Sequence, residues 1–329
     1  MPSIKFEITA EQWVYRTPFQ IARSISAELD VIVVVLTDSA GHSGRGEAAG
    51  VDYDGETVAS MRAQLEAARP AVEARVSRAQ AQELLPAGGA RNALDCALWD
   101  LEAKTRHTSA WKLAGINSPV PVVTAATIGM GTDEAVVAEA ERFRGWPWIK
   151  IKVNANRALP VVQLIASITP HSRFIVDPNQ SWSVELLNDF VRAAADLPIG
   201  LIEQPVAVDA TPTLANYRGS VPIAADEACA DRESLAAIRD FYQVINIKLD
   251  KTGGLTEALA LKADVLRAGL QVMVGNMAGT SLAMAPGIIL AQGVPFVDLD
   301  GPLLHKSDRP HGLQFTQGQI SMPAAALWG

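Results

Sequence analysis

Hydrophobic and polar residues alternate along the first part of the chain and then recur with a helical period. Residues 3–36 alternate and end in the apolar run VIVVVL at 31–36, followed by the turn-rich DSAGHSGRG, so this stretch predicts β-strands. Residues 57–115 are Ala-rich with apolar positions at helical spacing, which predicts long helices. Strands followed by helices indicate a separate α+β unit at the start of the chain.

After Pro119 the pattern changes to short apolar strands that alternate with amphipathic helices. The predicted strands are 122–128, 148–153, 174–177, 200–203, 222–226, 244–248, 270–275 and 296–300. Their ends fall roughly 22 to 27 residues apart, the spacing that eight βα units need to close a parallel barrel. The sequence contains no GxGxxG or Walker motif, which disfavours a doubly wound nucleotide-binding sheet.

These patterns divide the chain into three predicted parts. We expect residues 1–117 to form the α+β unit and residues 118–310 to form the barrel. The remaining segment, 311–329, contains GLQFTQGQISMP, which alternates like one more strand. We expect this segment to return to the first unit.

Charge and cysteine content narrow the class of protein. Acidic residues outnumber basic residues by 36 to 28, a formal net charge of −8, which argues against nucleic acid or an anionic membrane as the main partner. The two cysteines, Cys96 and Cys229, form no CxxC motif, so no disulfide framework is expected. The N-terminal residues resemble neither a signal peptide nor a membrane span, so we expect a soluble, cytoplasmic protein.

Three carboxylates close consecutive predicted strands of the barrel. Asp177, Glu203 and Asp226 occupy these positions, and active sites of barrels are built at the carboxyl ends of their strands. Side by side and partly desolvated they would repel one another, whereas a bound Mg²⁺ would accept their hard oxygens. Each alone could instead cap a helix or form a salt bridge. Without His or Cys among them, zinc is disfavoured.

Lysines occupy two opposite positions of the predicted barrel mouth. Lys150 and Lys152 are two residues apart on one strand, so their side chains point to the same side, and Lys248 lies across the barrel. We expect their ammonium groups to lower one another's pKa, so that one can act as a general base. The alternative is that strand-end lysines extend into solvent. We favour that alternative for Lys251, in the loop KTGG.

A second carboxylate pair follows the last predicted strand. Asp298 and Asp300 are two residues apart and therefore share a face. They could hold the ammonium group of a substrate or only cap the loop DGP.

These residues lie in motifs that resemble the enolase superfamily, within it the muconate-lactonising subgroup, and most closely the dipeptide epimerases of the L-Ala-D/L-Glu epimerase type. The barrel motifs are KIK at 150–152, VDPNQSW at 176–182, IEQP at 202–205, ADEAC at 225–229, INIKLDKTGGLTEAL at 245–259 and DLDGP at 298–302. Those of the first unit are PF at 18–19, GRGE at 44–47 and ARNALDCALWDL at 90–101. The resemblance implies a (β/α)7β TIM-like barrel with an N-terminal α+β capping domain, whose lid loops lie near 19–26 and 50–56.

The resemblance also implies a metal site and its neighbours. Asp177, Glu203 and Asp226 would bind Mg²⁺, the expected cofactor. Asn179 and Glu227 would support these ligands.

Catalytic and substrate roles follow from the same motifs. Lys152 and Lys248 would be the two acid/base catalysts on opposite faces of the substrate α-carbon, and Lys150 would help to neutralise the substrate carboxylate. Asp298 and Asp300 would bind the α-ammonium group of a dipeptide.

Substrate specificity is expected to depend on the cap and on one barrel loop. Arg23 would pair with an acidic side chain of the substrate, and Thr127 is assigned to the substrate site. Two features depart from the family pattern: Arg45 replaces Trp in the motif usually written GWGE, and Ala278 and Gly279 provide small residues that would enlarge the pocket.

The resemblance therefore predicts a Mg²⁺-dependent dipeptide epimerase that inverts the α-carbon of the C-terminal residue, with L-Ala-L-Glu as the expected substrate and peptidoglycan recycling as a candidate setting. Alternatives within the subgroup are o-succinylbenzoate synthase, N-acylamino acid racemase and cycloisomerase. Outside the superfamily they are a Schiff-base aldolase and a non-catalytic binding protein. The expected partner is a small dipeptide, with no nucleic acid or membrane, and a homo-oligomer stays open.

Overall fold

The structure, a computed structural model, describes residues 4–21 and 25–329. The N-terminal part is an antiparallel sheet in the order β1-β2-β3 covered by helices. Its elements are β1 (Lys5–Gln20), β2 (Ile25–Thr37), β3 (Ser43–Ala48), α1 (Val58–Glu73), α2 (Arg78–Leu84), α3 (Gly89–Thr105) and α4 (Ala110–Leu113). The predicted α+β unit is therefore confirmed, with three antiparallel strands and four α-helices in the described part of this unit.

Close packing of β3 on α3 explains the glycines of the GRGE motif. A Cβ atom added to Gly46 would lie 2.1 Å from Ala93 O, and one added to Gly44 would lie 2.3 Å from Ala97 O. Both contacts are far shorter than van der Waals distance and involve backbone atoms, which cannot move aside. Glycine therefore lets the strand lie directly on the helix.

The second part is a parallel sheet of eight strands surrounded by helices, in the order β12-β11-β10-β9-β8-β7-β6-β5. The strands are β5 (Ala126–Ile128), β6 (Trp148–Lys152), β7 (Arg173–Asp177), β8 (Ile199–Glu203), β9 (Ile223–Ala225), β10 (Val244–Ile247), β11 (Gln271–Val274) and β12 (Phe296–Val297). The two edges meet where Ala125 N donates to Val297 O at 2.8 Å. The predicted closed barrel with a capping domain is confirmed.

Helices follow the barrel strands. They are α5 (Asp133–Arg142), α6 (Ala158–Ile168), α7 (Val184–Ala193), a 3₁₀ helix (Val208–Asn216), α8 (Arg232–Ile238), α9 (Leu249–Thr252), α10 (Leu255–Arg267), α11 (Ser281–Leu290) and α12 (Gly301–Leu304). Among the described residues, no helix has both the length and the apolar character needed to cross a membrane.

Alternation along the strands separates an apolar outer layer from a polar interior at one end. On β6, Ile149 and Ile151 are buried in the layer between strands and helices, so Lys150 and Lys152 point into the barrel. The lower interior is filled by a small apolar cluster that includes Ile175, Leu201 and Met273. Inward positions therefore change from apolar to charged towards the carboxyl ends of the strands.

The C-terminal segment differs from the single strand expected to join the cap. Residues Phe315–Thr316 (β13) and Gln319–Ile320 (β14) form a hairpin that pairs with Val122–Val123 (β4) beside the barrel. The predicted strand 122–128 is accordingly split, because its first two residues join this hairpin and its last three join the barrel. The final residues do reach the cap, where Trp328 Nε1 donates to Cys96 O at 3.0 Å.

Candidate active site

A cavity of about 380 Å³ lies between the cap and the carboxyl ends of the barrel strands. The three predicted lysines line it, together with the cap residues Phe19, Ser26, Gly50 and Tyr53 from the ranges predicted to form lid loops. The two domains therefore enclose one site. The barrel supplies the charged floor, and the cap supplies the opposite wall.

The lysines on β6 and after β10 are placed by the strand register. Lys150 and Lys152 are buried inward positions of β6, and Lys248 directly follows β10, four strands further round the barrel. All three line the cavity. Two ammonium groups thus reach one pocket from opposite sides of the barrel.

The three strand-end carboxylates are fully buried and contact these lysines. Lys150 Nζ lies 3.2 Å from Asp177 Oδ2 and 2.7 Å from Glu203 Oε2. Lys152 Nζ lies 2.6 Å from the same oxygen of Asp177. The Asp177 carboxylate is thus shared by two ammonium groups.

For Lys150 and Lys248, contacts with carboxylates give a net pKa shift opposite to the expected one. Burial alone would lower the pKa of Lys150, but Asp298, Glu203 and Asp177 together hold it well above its usual value. For Lys248, burial is likewise outweighed by the adjacent Asp226, so its pKa is also raised. Lys150 does lower the pKa of Lys248, as expected, but the carboxylates around Lys150 and Lys248 outweigh the effect of the other lysine, so the net shift of both is upward.

The three carboxylates differ in how far nearby lysines balance their negative charge. Burial and the nearby Asp177 raise the pKa of Glu203 to about 7. The pKa of Asp226 is lowered, because Lys248 and two further lysines outweigh the effect of burial. Glu203 is therefore the carboxylate whose negative charge is least balanced by the side chains around it.

Neighbouring polar groups fix the carboxylates in place. Asn179 N donates to Asp177 Oδ1 at 2.9 Å, from a left-handed backbone conformation with φ of 47°. Asn246 Nδ2 donates to Glu203 Oε1 at 2.8 Å. Glu227 is next to Asp226 in the sequence. Its pKa is raised mainly by burial and, to a smaller extent, by the negative charge of Asp226.

Gln204 orients the backbone that carries Asp226. Its side-chain oxygen accepts hydrogen bonds from Asp226 N at 2.9 Å and Ala228 N at 3.1 Å. Neither Gln204 nor Asn246 was among the site residues predicted from the sequence. Their positions were the available indication, because Gln204 directly follows a strand-end carboxylate and Asn246 is an inward position of β10.

The predicted pair after the last strand is brought together with Thr127. Thr127 Oγ1 lies 3.3 Å from Asp298 Oδ1, and Thr127 N donates to Asp300 Oδ2 at 2.5 Å. Asp298 also accepts from Lys150 at 2.8 Å, which keeps the Asp298 pKa low despite burial. Burial and the adjacent Asp298 raise the pKa of Asp300 to about 8. The negative charge of Asp298 is therefore balanced by the Lys150 ammonium group, whereas Asp300 forms no such ion pair among the described residues.

The expectation that Lys251 extends into solvent was wrong. Its side chain is 1% exposed, and its ammonium group lies 2.9 Å from Asp226 Oδ1. The reason is α9, a single helical turn directly after Lys248, which carries Lys251 back beneath the strand ends. Spacing was the missed indication, since residues three apart on a helix share a face.

The residues expected to set specificity have different outcomes. Arg23 lies outside the described residues. Arg45 does not line the cavity, because its guanidinium donates to Ala326 O at 2.7 Å and to Leu327 O at 2.5 Å in the C-terminal segment. Ala278 does line the cavity, with φ of 67°.

The donor set fits a hard divalent cation, although the carboxylates now face ammonium groups. Across the described residues, no group of three or more His, Cys, Asp or Glu side chains is arranged as a metal site, and Lys150 Nζ contacts both Asp177 and Glu203. Their oxygens are nevertheless the ligand type that Mg²⁺ prefers. Asn179 Oδ1 is buried and has no hydrogen-bond partner, so a further oxygen beside them is available.

Family models match both parts of the chain. One described as Enolase C-terminal domain-like matches residues 135–326, and the N-terminal domain of mandelate racemase / muconate lactonizing enzyme matches residues 3–115. The chain therefore belongs to the enolase superfamily, in its mandelate racemase and muconate lactonizing enzyme group. The predicted family is confirmed.

Individual relatives refine this class. The chain is 39% identical to an L-Ala-D/L-Glu epimerase of Escherichia coli (strain K12) over 96% of this chain and 99% of that one. It is 40% identical to an N-acetyl-D-glutamate racemase of Pseudoalteromonas sp. over 74% of this chain and 78% of that one. Relatives named as epimerases and racemases place this chain among the isomerases.

Solved structures agree with this placement. An enolase family member from Agrobacterium tumefaciens with homology to dipeptide epimerases, with bound sodium and L-Ala-L-Glu, is 38% identical, with a TM-score of 0.96 over 99% of this chain and all of that one. A dipeptide epimerase from Enterococcus faecalis V583, complexed with Mg and L-Leu-L-Tyr, is 25% identical, with a TM-score of 0.91 over 99% of each chain.

Proposed function

We propose that this protein is a dipeptide epimerase that inverts the α-carbon of the C-terminal residue by two-lysine proton transfer. The observation that carries the proposal is the pocket itself, which receives Lys152 and Lys248 from opposite sides of the barrel. A lysine on each face of a planar, deprotonated α-carbon can remove a proton from one side and return one to the other. The names of the relatives support the reaction class.

The proton is removed by one lysine and delivered by the other. For the L-to-D direction, one of Lys152 and Lys248 takes the α-proton and the other donates its own to the opposite face. The substrate carboxylate gains negative charge as the α-proton leaves, and Lys150 provides positive charge for it. A dry pocket strengthens this interaction, and the cap residues Phe19 and Tyr53 help to exclude water.

We propose that Asp177, Glu203 and Asp226 hold a divalent cation, Mg²⁺, in the active enzyme. Buried carboxylates of this kind fit Mg²⁺, and Asn179 and Glu227 would stabilise them from outside the ligand set. Bound there, the cation would supply further positive charge to the substrate carboxylate, and it would offset the carboxylates that raise the pKa of Lys248.

The substrate ammonium group is assigned to Asp298 and Asp300, which Thr127 holds together. The two carboxylates lie in the same cavity as the lysines, and within the described part of the chain no ammonium group forms an ion pair with Asp300. A positively charged α-amino group would supply that compensation. We propose L-Ala-L-Glu as the substrate, with Arg23 pairing with the acidic side chain.

The test is incorporation of deuterium from solvent. A library of L,L-dipeptides is incubated with the protein and Mg²⁺ in D₂O, and mass spectrometry reads which members gain one deuterium. We expect L-Ala-L-Glu to be among them, with no incorporation after EDTA treatment. A folded, Mg²⁺-loaded protein that labels no dipeptide would contradict the proposal.

Racemisation of an N-acylated amino acid is a second candidate, supported by the racemase relative and by Asp300. The raised pKa of Asp300 favours its protonated form, which could donate a hydrogen bond to an acyl oxygen. The two functions separate in the variant Asp300→Asn. For an epimerase, we expect kcat/KM for the dipeptide to fall at least tenfold, whereas an N-acyl substrate, assayed in parallel as N-acetyl-L-glutamate, would be little affected.

A further inference from the structure

The ammonium group of Lys251 is buried near the candidate cation site, and all of its hydrogen-bond donors have acceptors. Its ammonium group lies 2.9 Å from Asp226 Oδ1, Cys229 O and Asn246 O, and it also donates to the carbonyl oxygen of Asp226. An ammonium group has three donors, so four acceptors leave none free. Lys251 does not line the cavity, and therefore it cannot contact a substrate there.

These contacts fix the orientation of one carboxylate. Asp226 Oδ1 faces Lys251, while Oδ2 lies 2.7 Å from Lys248 on the other side. Rotation of the Asp226 side chain would break its contact with an ammonium group that is held by backbone carbonyls on either side. The Asp226 carboxylate is therefore locked by a residue that does not take part in the proton transfer.

We propose that Lys251 is a positioning residue. It holds the Asp226 carboxylate in the orientation that binds the divalent cation and contacts the catalytic Lys248. The inference rests on the proposed function, in which Asp226 is a cation ligand. All donors of the ammonium group are used in these contacts. The free-energy cost of orienting the Asp226 side chain is therefore met during folding and does not weaken cation binding.

The sign of the change in Mg²⁺ affinity separates positioning from simple charge. Loss of a positive charge 2.9 Å from Asp226 would, by Coulomb's law alone, strengthen the binding of a cation. Loss of orientation would weaken it. A side chain that only ties the loop after β9 to β10 would change the melting temperature and leave the affinity unaltered.

The experiment compares Lys251→Met with Lys262→Met. Lys262 is a matched control, since its ammonium group donates to Leu290 O and Gln292 O at 2.7 Å in a half-buried position, away from the cavity lining. Mg²⁺ affinity is measured without substrate by isothermal titration calorimetry, and melting temperature is measured in EDTA. We expect Lys251→Met to bind Mg²⁺ at least tenfold more weakly than the unchanged protein, and Lys262→Met to bind it equally well.

Each other outcome has a defined meaning. Equal or tighter Mg²⁺ binding by Lys251→Met overturns the proposal, as does an equal loss in Lys262→Met. If the unchanged protein does not bind Mg²⁺, it is the proposed function that fails. If Lys251→Met does not fold, Lys251→Arg replaces it: the guanidinium keeps the charge but cannot place all its donors at one point, so weaker Mg²⁺ binding supports positioning and unaltered binding overturns it.

Discussion

Single residues at the strand ends show what a period of two can and cannot predict. Alternation alone placed Lys150 and Lys152 on the interior of β6, because their neighbours are apolar. Lys251 could not be placed in this way, since whether the chain after Lys248 continues outward or turns back depends on a four-residue helix. Pattern thus determines which side of a strand a residue faces, but not the path of the loop that follows.

The two lysines proposed as catalysts give a prediction at this scale. Lys152→Ala and Lys248→Ala should each lower epimerisation by a factor of about 10² to 10⁴, because each removes one general acid/base. Each variant should still exchange the α-hydrogen of one epimer with D₂O through the remaining lysine, as read by mass spectrometry. Full epimerisation by either variant contradicts the two-lysine assignment, and Lys262→Met serves as an unaffected control.

At the scale of elements, the lid loop near 50–56 is tied to the barrel through α9. Asp250, on α9 and two residues after Lys248, accepts a hydrogen bond from Gly50 N at 2.8 Å. Glu56, at the other end of the loop, accepts from Val51 N at 2.8 Å and Gly89 N at 2.9 Å. The loop predicted as a lid is thus hydrogen-bonded to the barrel in this structure, and no sequence pattern indicated that a barrel carboxylate would accept from it.

The buried carboxyl group of Asp250 should make stability depend on pH. Burial raises its pKa to about 7, with the Gly50 hydrogen bond opposing this effect. A raised pKa means that the folded state binds the proton more tightly than the unfolded chain, so this stabilisation is complete below about pH 4 and lost as pH rises through 7. The change is at most about 4 kcal/mol.

The variant Asp250→Asn keeps an acceptor for Gly50 N and removes the charge. Thermal unfolding in EDTA at pH 5 and pH 8 tests the effect. We expect the melting temperature of the variant, relative to that of the unchanged protein, to be higher at pH 8 than at pH 5. An equal difference at both pH values would show that the protonation state of Asp250 does not change between pH 5 and pH 8.

On the scale of the whole molecule, the chain was predictable as two domains but not in how they are joined. The cap and barrel follow from changes of hydrophobic period, which are local properties of the sequence. Their connection is non-local: Trp328 Nε1 donates to Cys96 O, and Gly329 N donates to Asp100 Oδ1 at 2.7 Å. Arg45, at a motif position expected to influence the pocket, instead holds the same C-terminal segment on the cap.

Trp328 should therefore support both stability and substrate binding, because the cap supplies one wall of the cavity. It is fully buried, and Trp328→Ala should lower the free energy of unfolding by about 3 to 5 kcal/mol, measured by urea denaturation. A cap held less firmly should also raise KM for the dipeptide several-fold, while Mg²⁺ affinity, a property of the barrel, stays unchanged.

Phe143→Ala is the matched control for this variant. Phe143 is equally buried and packs edge-on against Trp146 beside α5, so its loss should cost similar stability without loosening the cap. We expect KM to stay constant in Phe143→Ala. If KM rises equally in both variants, general destabilisation explains the effect, and the C-terminal segment has no separate part in holding the cap over the barrel.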